Sequence, residues 1–176
     1  MQSKVICKIK GVSALLMHRF PIEPVEGIDK KPAKDQAEVS AYRMANGNLF
    51  LPGVAVQRAL IGGAGFSKGK GRATLQKPVA ACVLVTPEEI DLGLKDYIID
   101  SRAVVIAATK GRIVRHRPRL DVWEATFEIE FDENLISETQ LRTVVDDTGT
   151  RVGLLDFRPE RKGPFGRFMV IGWDKV

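Results

Sequence analysis

The sequence predicts an α+β fold with an antiparallel sheet, and three observations lead to this prediction. Residues 4–10 and 123–131 alternate between apolar and polar side chains, as half-buried strands do. Two segments have the pattern of amphipathic helices, and each lies between strand-like segments. The chain has 176 residues, of which 44% are hydrophobic, so it can form one domain with its own core.

The first strand is predicted over residues 4–10, where Val5, Cys7 and Ile9 face one way and lysines face the other. Residues 20–46 are rich in Pro, Lys and acids and have no periodicity, which predicts a long loop. Asn46-Gly47 indicates a tight turn, and residues 49–51 form a short strand after it.

The first helix is predicted over residues 54–61, after Pro52 and before Gly62-Gly63. Residues 67–77 carry four positive charges and no negative one, which predicts a flexible basic loop. Two further strands are predicted, one in the apolar run 79–85 and the other over residues 97–106.

The second helix has the strongest local signals. Ser137 and Gln140 form a capping box, Ile136 and Leu141 fit a hydrophobic staple, and Gly149 is predicted to end the helix. A Gly/Pro/Arg loop over 153–166 and a last strand over 167–173 follow. The order is β-α-β-β-α-β, the ferredoxin-like or RRM-like plan. The prediction is a single domain over 1–176, with a long loop at 20–46 and a basic loop or insertion at 66–122.

The cysteines and the N-terminal residues predict a cytoplasmic protein. Cys7 and Cys82 lie in apolar runs without CxxC spacing, so we expect buried thiols in a reducing compartment. No signal peptide and no apolar run of membrane length is visible, so no membrane partner is expected. No cofactor is predicted.

Positive charge is concentrated in three segments of a chain whose formal net charge is +5. The three clusters hold 13 of the 27 Lys and Arg residues: Lys68, Lys70, Arg72 and Lys77; Lys110, Arg112, Arg115, Arg117 and Arg119; and Arg158, Arg161, Lys162 and Arg167. Such concentration is typical of phosphate contacts, which dominate affinity for nucleic acids.

The second cluster has two interpretations. On an extended chain Arg115, Arg117 and Arg119 line one face at intervals of about 6.6 Å, which suits successive phosphates of one strand. Alternatively, a turn near Leu120-Asp121 folds the segment back onto Glu124, Glu128 and Glu130 in cross-strand ion pairs.

The third cluster combines cations with glycines and aromatic rings. Gly163 and Gly166 let the backbone approach a ligand, and Phe157 and Phe165 are candidates for stacking on bases. The alternative is a rigid turn whose phenylalanines fill the core.

The segment 51–60, LPGVAVQRAL, resembles the helix-start motif of the RAMP superfamily, which includes the guide-RNA-coating backbone subunits of CRISPR effector complexes. Gly163 to Gly166 resembles that family's glycine-rich loop before the last strand. The resemblance implies an RRM-like fold and a role in antiviral defence, in a compact member carried by a phage or mobile element. It also implies that Gly53, Gln57 and Arg58 support a single strand of RNA. Identical subunits would bind side by side along that strand, and other subunits of a ribonucleoprotein complex would be further partners.

Two alternatives remain open. One is a single-stranded DNA-binding protein of phage replication or recombination, because no residue can be assigned to reading the 2′-hydroxyl. The other is a metal-dependent ribonuclease that uses Asp29 or Asp35, since an aspartate of this region cuts RNA in some RAMP proteins. His18 and His116 have basic neighbours instead of further ligands, so neither predicts a metal site. We expect a binding protein rather than an enzyme.

Overall fold

The structure is a computed structural model that describes residues 2–23, 25–106 and 108–176. Its antiparallel sheets and four α-helices confirm the predicted α+β class. The strands are β1 (Gln2–Gly11), β2 (Leu15–Leu16), β3 (Phe50–Pro52), β4 (Leu84–Thr86), β5 (Glu89–Asp91), β6 (Ile98–Val105), β7 (Arg112–Leu120), β8 (Glu124–Asp132) and β9 (Phe168–Lys175). The helices are α1 (Ala33–Val39), α2 (Gly53–Gly63), α3 (Gln76–Cys82) and α4 (Glu138–Asp147).

The main sheet has four antiparallel strands in the order β4-β8-β1-β9. On one face, Val5, Cys7 and Ile9 of β1 lie opposite Ile129, Phe127 and Ala125 of β8, and all six side chains are buried. The predicted alternation is therefore confirmed in both strands. Burial raises the pKa of the Cys7 thiol to about 12, so this cysteine is a core side chain, as predicted.

The opposite face of the sheet, which we call the open face, carries ion pairs between β1 and β8. Lys4 lies 2.8 Å from Glu128 and 3.2 Å from Glu130, and Lys8 lies 2.9 Å from Glu124. These glutamates therefore pair with lysines of β1. The predicted alternative, in which they pair with the arginines of residues 115–119, is wrong.

Helices α2 and α4 cover the apolar face of the main sheet. The capping box of α4 is confirmed: Ser137 Oγ accepts from the Gln140 N–H at 3.2 Å, and Gln140 Oε1 accepts from the Ser137 N–H at 3.0 Å. The predicted end at Gly149 is wrong, because the chain continues through a π-helical turn over Thr148–Val152. The turn stops at Gly153, whose φ of 73° is left-handed and favours glycine.

Helix α2 continues through Gly62-Gly63, where the sequence predicts a stop. A β carbon on Gly63 would collide with Thr148 Oγ1, so the glycine allows α2 to pack closely against the turn after α4. The glycine pair therefore serves helix packing rather than termination.

The predicted strand over residues 79–85 is wrong for most of its length. Residues 76–82 form α3, and β4 begins only at Leu84. A continuous apolar run does not distinguish a buried strand from a buried helix turn, and two alanines in this run favour the helix.

The predicted loop over residues 20–46 contains α1 and a 3-10 turn over Ile28–Lys30. Only Gln36 and Ala37 of α1 are buried, so a helix of seven residues leaves no clear apolar stripe in the sequence. The Asn46-Gly47 turn is present, with Met44 N–H donating to Asn48 O at 2.8 Å.

The stretch 66–122, predicted as a basic loop or insertion, contains more regular structure than the two strands expected in it. It provides α3, the β4 edge of the main sheet, and the β6–β7 hairpin, which forms a second sheet with β2. Trp123 lies in the core, as predicted, and donates to Ser13 O at 2.9 Å. Among the described residues, no helix combines the length and apolar character needed to cross a bilayer.

Candidate nucleic-acid interface

The loop over residues 153–167 is held closed by its own backbone. Leu154 N–H donates to Gly166 O at 2.9 Å, and Phe165 N–H donates to Phe157 O at 3.2 Å. Gly166 has a φ of 73°, and a β carbon there would collide with the Leu154 carbonyl. A β carbon on Gly163 would collide with Phe157 O. Both glycines are thus required by close backbone contacts within the loop.

Three residues of this loop other than glycine also have left-handed backbone. Leu155, Phe157 and Lys162 have φ values of 59°, 49° and 61°. L-residues adopt this conformation at a cost, and such residues cluster where a loop serves a functional site.

The β6–β7 hairpin packs against this loop. Arg117 Nη1 donates a hydrogen bond to Asp156 Oδ2, and the guanidinium groups of Arg102 and Arg119 lie 4.8 and 5.7 Å from the centre of the Phe165 ring. These contacts bring the second and third basic clusters together, although they are distant in sequence.

Two adjoining depressions lie beside this contact, and together we call them the arginine groove. The His18 depression, of about 400 Å³, lies between α2 and the loop. The Arg102 depression, of about 540 Å³, lies between the hairpin and the loop. They share Asp156 and Arg158. The charged side chains that line the groove, apart from His18, are Arg58, Arg102, Arg117, Asp156, Arg158 and Arg161.

Asp156 is the acidic residue at the junction of the two depressions. Burial alone would raise the pKa of its carboxyl, but the hydrogen bond to His18 and the charge and hydrogen bond of Arg117 outweigh burial and lower the pKa. His18 Nδ1 lies 3.5 Å from Asp156 Oδ2. The carboxylate is thus held ionised. Asp100 pairs with Arg102 and Glu160 pairs with Arg158, so the excess positive charge of the groove comes from Arg58 and Arg161.

Several predicted cations already have partners. Arg115 Nη1 lies 3.2 Å from Asp29, and Arg158 Nε donates to Glu160 at 3.0 Å. Arg167 Nη1 donates to Thr150 O at 2.8 Å, and Arg117 is buried against Asp156. These arginines hold the site together. In contrast, Arg58, Arg112, Arg161 and Lys162 are exposed and form no ion pair with any described residue.

The first basic cluster lies elsewhere. Lys68 lines a separate depression with Phe66 and residues of α4, which shares no lining residue with the arginine groove. Lys68, Lys70 and Arg72 are exposed and surround a small turn closed by the bridge between Lys68 and Thr74. The structure does not bring this cluster to the other two.

Of the residues predicted at the start of α2, some stabilise the fold and one lines the groove. Gln57 Nε2 donates to Val83 O at 2.8 Å and its Oε1 accepts from the Val85 N–H at 3.0 Å, so this amide holds β4 against α2. Gly53 is buried, and its N–H donates to Glu88 O at 2.8 Å. Of the three predicted residues, Arg58 lines the groove.

The two phenylalanines of the loop differ in exposure. Phe165 is 5% exposed beneath two guanidinium groups, so its ring is not available for stacking on a base. Phe157 is half-buried and lines the Arg102 depression. For Phe165 the structure therefore agrees with the alternative prediction, in which the ring is buried instead of stacking on a base.

The two candidate catalytic aspartates lie outside the groove. Both are exposed, and Asp29 pairs with Arg115. His116 Nδ1 lies 2.7 Å from Ser101 Oγ. Within residues 2–23, 25–106 and 108–176, no three His, Cys, Asp or Glu side chains form a group able to hold a metal ion.

The sequence did not assign Arg102, Asp156 or Tyr42 to the site. Arg102 is the cross-strand partner of Arg115, and a hairpin turning near residue 108 would have paired them. Tyr42 lines the His18 depression, and burial raises the pKa of its hydroxyl. No local signal in the sequence marks Asp156 or Tyr42, because their role depends on long-range contacts.

Comparison with known proteins gave no assignment. No family model matches the chain, and no curated protein matches it.

Proposed function

We propose that this chain binds one strand of nucleic acid through its sugar-phosphate backbone, with RNA as the favoured ligand and the arginine groove as the site. The observation that carries the proposal is the junction of two basic segments distant in sequence. The contact of Arg117 with Asp156 joins them, and the groove beside it is lined by five arginines and one aspartate. A half-enclosed groove with excess positive charge attracts a polyanion.

The order of the elements supports a ferredoxin-like plan for this binding domain. The strands of the main sheet and their crossover helices follow one another as β1-α2-β4-β8-α4-β9, which is a β-α-β-β-α-β order. The remaining helices and strands lie between these elements. This supports the RRM-like fold that the resemblance to the RAMP superfamily implies.

The position of the residues that carry the resemblance also supports the proposal. The first turns of α2, which include Arg58, and residues 153–158 of the loop line two sides of the His18 depression. Gly163 and Gly166 close that loop by backbone hydrogen bonds and do not line the depression themselves. In this proposal the loop and the helix hold the strand, and identical subunits bind side by side along it, as in a CRISPR guide complex.

The groove has cations without ion pairs to described residues, and this distinguishes it from the open face of the main sheet. Arg58 and Arg161 line the groove and are free of ion pairs with described residues, so both can meet phosphates without breaking an internal contact. On the open face, Lys4 and Lys8 are neutralised by glutamates. We therefore assign the strand to the groove rather than to the open face.

The test is a fluorescence anisotropy titration with single-stranded RNA, single-stranded DNA and duplex, across a salt series, with and without magnesium. The chain should bind single strands, RNA most tightly, with a steep loss of affinity at higher salt and no cleavage. Arg58→Ala and Arg161→Ala should each raise Kd roughly two- to fivefold, the effect of one exposed ion pair.

Lys10→Ala is the matched control, because Lys10 is an exposed cation on the open face. It should leave Kd unchanged. The proposal fails if no single strand binds, or if Lys10→Ala weakens binding as much as the two groove variants do. Cleavage that disappears in Asp29→Ala or Asp35→Ala would favour the ribonuclease alternative instead.

A further inference from the structure

The Arg102 depression holds more positive charge than its own residues neutralise. Arg102, Arg117, Arg158 and Arg161 line it, together with the single carboxylate of Asp156. That carboxylate already pairs with Arg117 and lies 3.5 Å from His18 Nδ1 outside the depression. Arg102 pairs with Asp100 at 2.7 Å and Arg158 pairs with Glu160, so Arg161 is the lining cation that forms no ion pair with any described residue. An anion that enters the depression would therefore meet Arg161 without displacing an internal carboxylate.

Arg117 gives a second and independent indication. Arg117 is 5% exposed, and its Nη1 donates a hydrogen bond to Asp156. Its Nε is the single buried side-chain nitrogen or oxygen of the described residues that lacks a hydrogen-bond partner. Buried polar groups are almost always paired, so a buried guanidinium with an unsatisfied donor indicates a site that is completed by an acceptor from outside.

The rest of the depression is apolar. Val104, Val105 and the half-buried ring of Phe157 line it beside the arginines. Its volume of about 540 Å³ is within the range of small-molecule sites. A ligand that fits must therefore combine an anionic group with a flat or apolar group, and inorganic phosphate alone would leave the apolar wall empty.

We propose that the Arg102 depression takes one nucleotide, with its phosphate against Arg102, Arg117 and Arg161 and its base against Phe157 and Val105. The phosphate supplies the acceptors that the arginine forks lack, and a base offers a flat face to the phenylalanine ring. This inference deepens the proposed function and rests on it for the strand as the source of the nucleotide. A free nucleotide has the same chemistry.

The test is an NMR titration of the ¹⁵N-labelled chain with adenosine 5′-monophosphate, and separately with adenosine, ribose 5-phosphate and inorganic phosphate. The nucleotide should bind roughly fivefold or more tightly than ribose 5-phosphate, because the base adds a stacking contact. It should bind about tenfold or more tightly than adenosine, because the phosphate adds charge-assisted hydrogen bonds. Amide shifts should concentrate at residues 102–105, 157 and 161.

Two variants separate this site from the rest of the groove. Arg161→Gln should raise Kd for the nucleotide about fivefold, and its exposed position keeps folding unaffected. Arg58→Ala is the matched control, since Arg58 lines the His18 depression only. It should leave Kd for the nucleotide unchanged while it weakens binding of a strand.

A competition experiment identifies the source of the nucleotide. If a single-stranded RNA of about ten nucleotides displaces the bound nucleotide, the depression holds a unit of the strand. If the RNA binds without displacing it, the depression serves a free nucleotide. The inference is overturned if the nucleotide binds no better than adenosine, or if shifts spread equally to Lys68, Lys70 and Arg72. Strand binding that persists in that case leaves the proposed function intact.

Discussion

Arg117 Nη1 donates a hydrogen bond to Asp156 Oδ2, and this contact joins β7 to the loop before β9 across 39 positions of the sequence. Arg117 is buried, and Asp156 is its partner through a single guanidinium nitrogen. Since removal of the Asp156 carboxylate leaves Arg117 buried and unpaired, this pair contributes more to stability than an exposed pair does. The position of the hairpin, and with it the shape of the arginine groove, depends on this contact.

Replacement of the carboxylate tests this dependence. We expect Asp156→Ala to lower the free energy of unfolding by on the order of 3 kcal/mol, because Arg117 loses its acceptor while it stays buried. Urea denaturation followed by circular dichroism measures the change. Asp121→Ala is the control, since Asp121 is half exposed in its pair with Arg119 and should cost less than about 1 kcal/mol. Equal losses in the two variants would contradict a special role for Asp156.

The same carboxylate predicts a pH dependence. The pKa of Asp156 is lowered in the folded chain, because His18 and Arg117 outweigh the opposing effect of burial. The unfolded chain therefore binds the proton first. The stabilisation is fully present above the ordinary aspartate pKa of about 3.9 and is lost as pH falls through the lower folded pKa.

Asp156→Asn isolates that contribution from the other carboxylates with lowered pKa, such as Glu38 and Asp91. Unfolding free energies measured from neutral pH down to about pH 3 should fall less steeply in the variant than in the natural chain. Parallel curves for the two proteins would show that the carboxylate titrates with its ordinary pKa.

The closed backbone of the loop predicts different costs at two glycines with similar φ. Gly166 and Gly71 have φ values of 73° and 67°, but a β carbon would collide with Leu154 O at Gly166 and would meet nothing within 4 Å at Gly71. Gly71→Ala should cost about 1 kcal/mol from backbone strain alone. Gly166→Ala should cost clearly more and should reduce nucleic-acid affinity, because the loop must move. Thermal unfolding and anisotropy measure both effects, and an equal, small cost would contradict the close contact.

The separation of the first basic cluster from the groove predicts unequal salt dependence. A variant with Lys68, Lys70 and Arg72 all changed to Ala removes three cations. The groove variant also removes three, because it changes Arg58 and Arg161 of the groove and the neighbouring Lys162 to Ala. Removal of one cation that binds a phosphate of a single strand should flatten the plot of log K against log salt by about 0.7. We expect the groove variant to flatten it by roughly 2 and the first-cluster variant to change it little. The reverse result would move the strand to the first cluster.

Elements with local signals are predicted well from the sequence. The capping box of Ser137 and Gln140 involves neighbours three positions apart, and the alternation of Val5, Cys7 and Ile9 is a property of one strand. The strand predicted over residues 79–85 is wrong over residues 79–82, because a continuous apolar run carries no period. Helix α1 is not predicted, because its two buried residues do not form an apolar stripe in the sequence.

The candidate site is predicted in part. The period of two correctly indicates that Arg115, Arg117 and Arg119 share a face of β7, since each pairs with a residue of β6 two positions apart. It does not reveal what that face meets. Burial of Arg117 and its contact with Asp156 depend on the pairing of β7 with β6 and β2 instead of β8. Such long-range pairing leaves no trace in a local pattern.

The ladder of lysines and glutamates across β1 and β8 has a consequence for orientation. The Nζ atoms of Lys4 and Lys8 each lie about 3 Å from a glutamate carboxylate oxygen, so the fields of the paired charges cancel within a short distance of the surface. Apart from the exposed Lys10, this face therefore offers a polyanion little net attraction. In the proposed function, the groove rather than the open face would set the side from which each copy binds a strand, so that neighbouring copies would share one orientation along it.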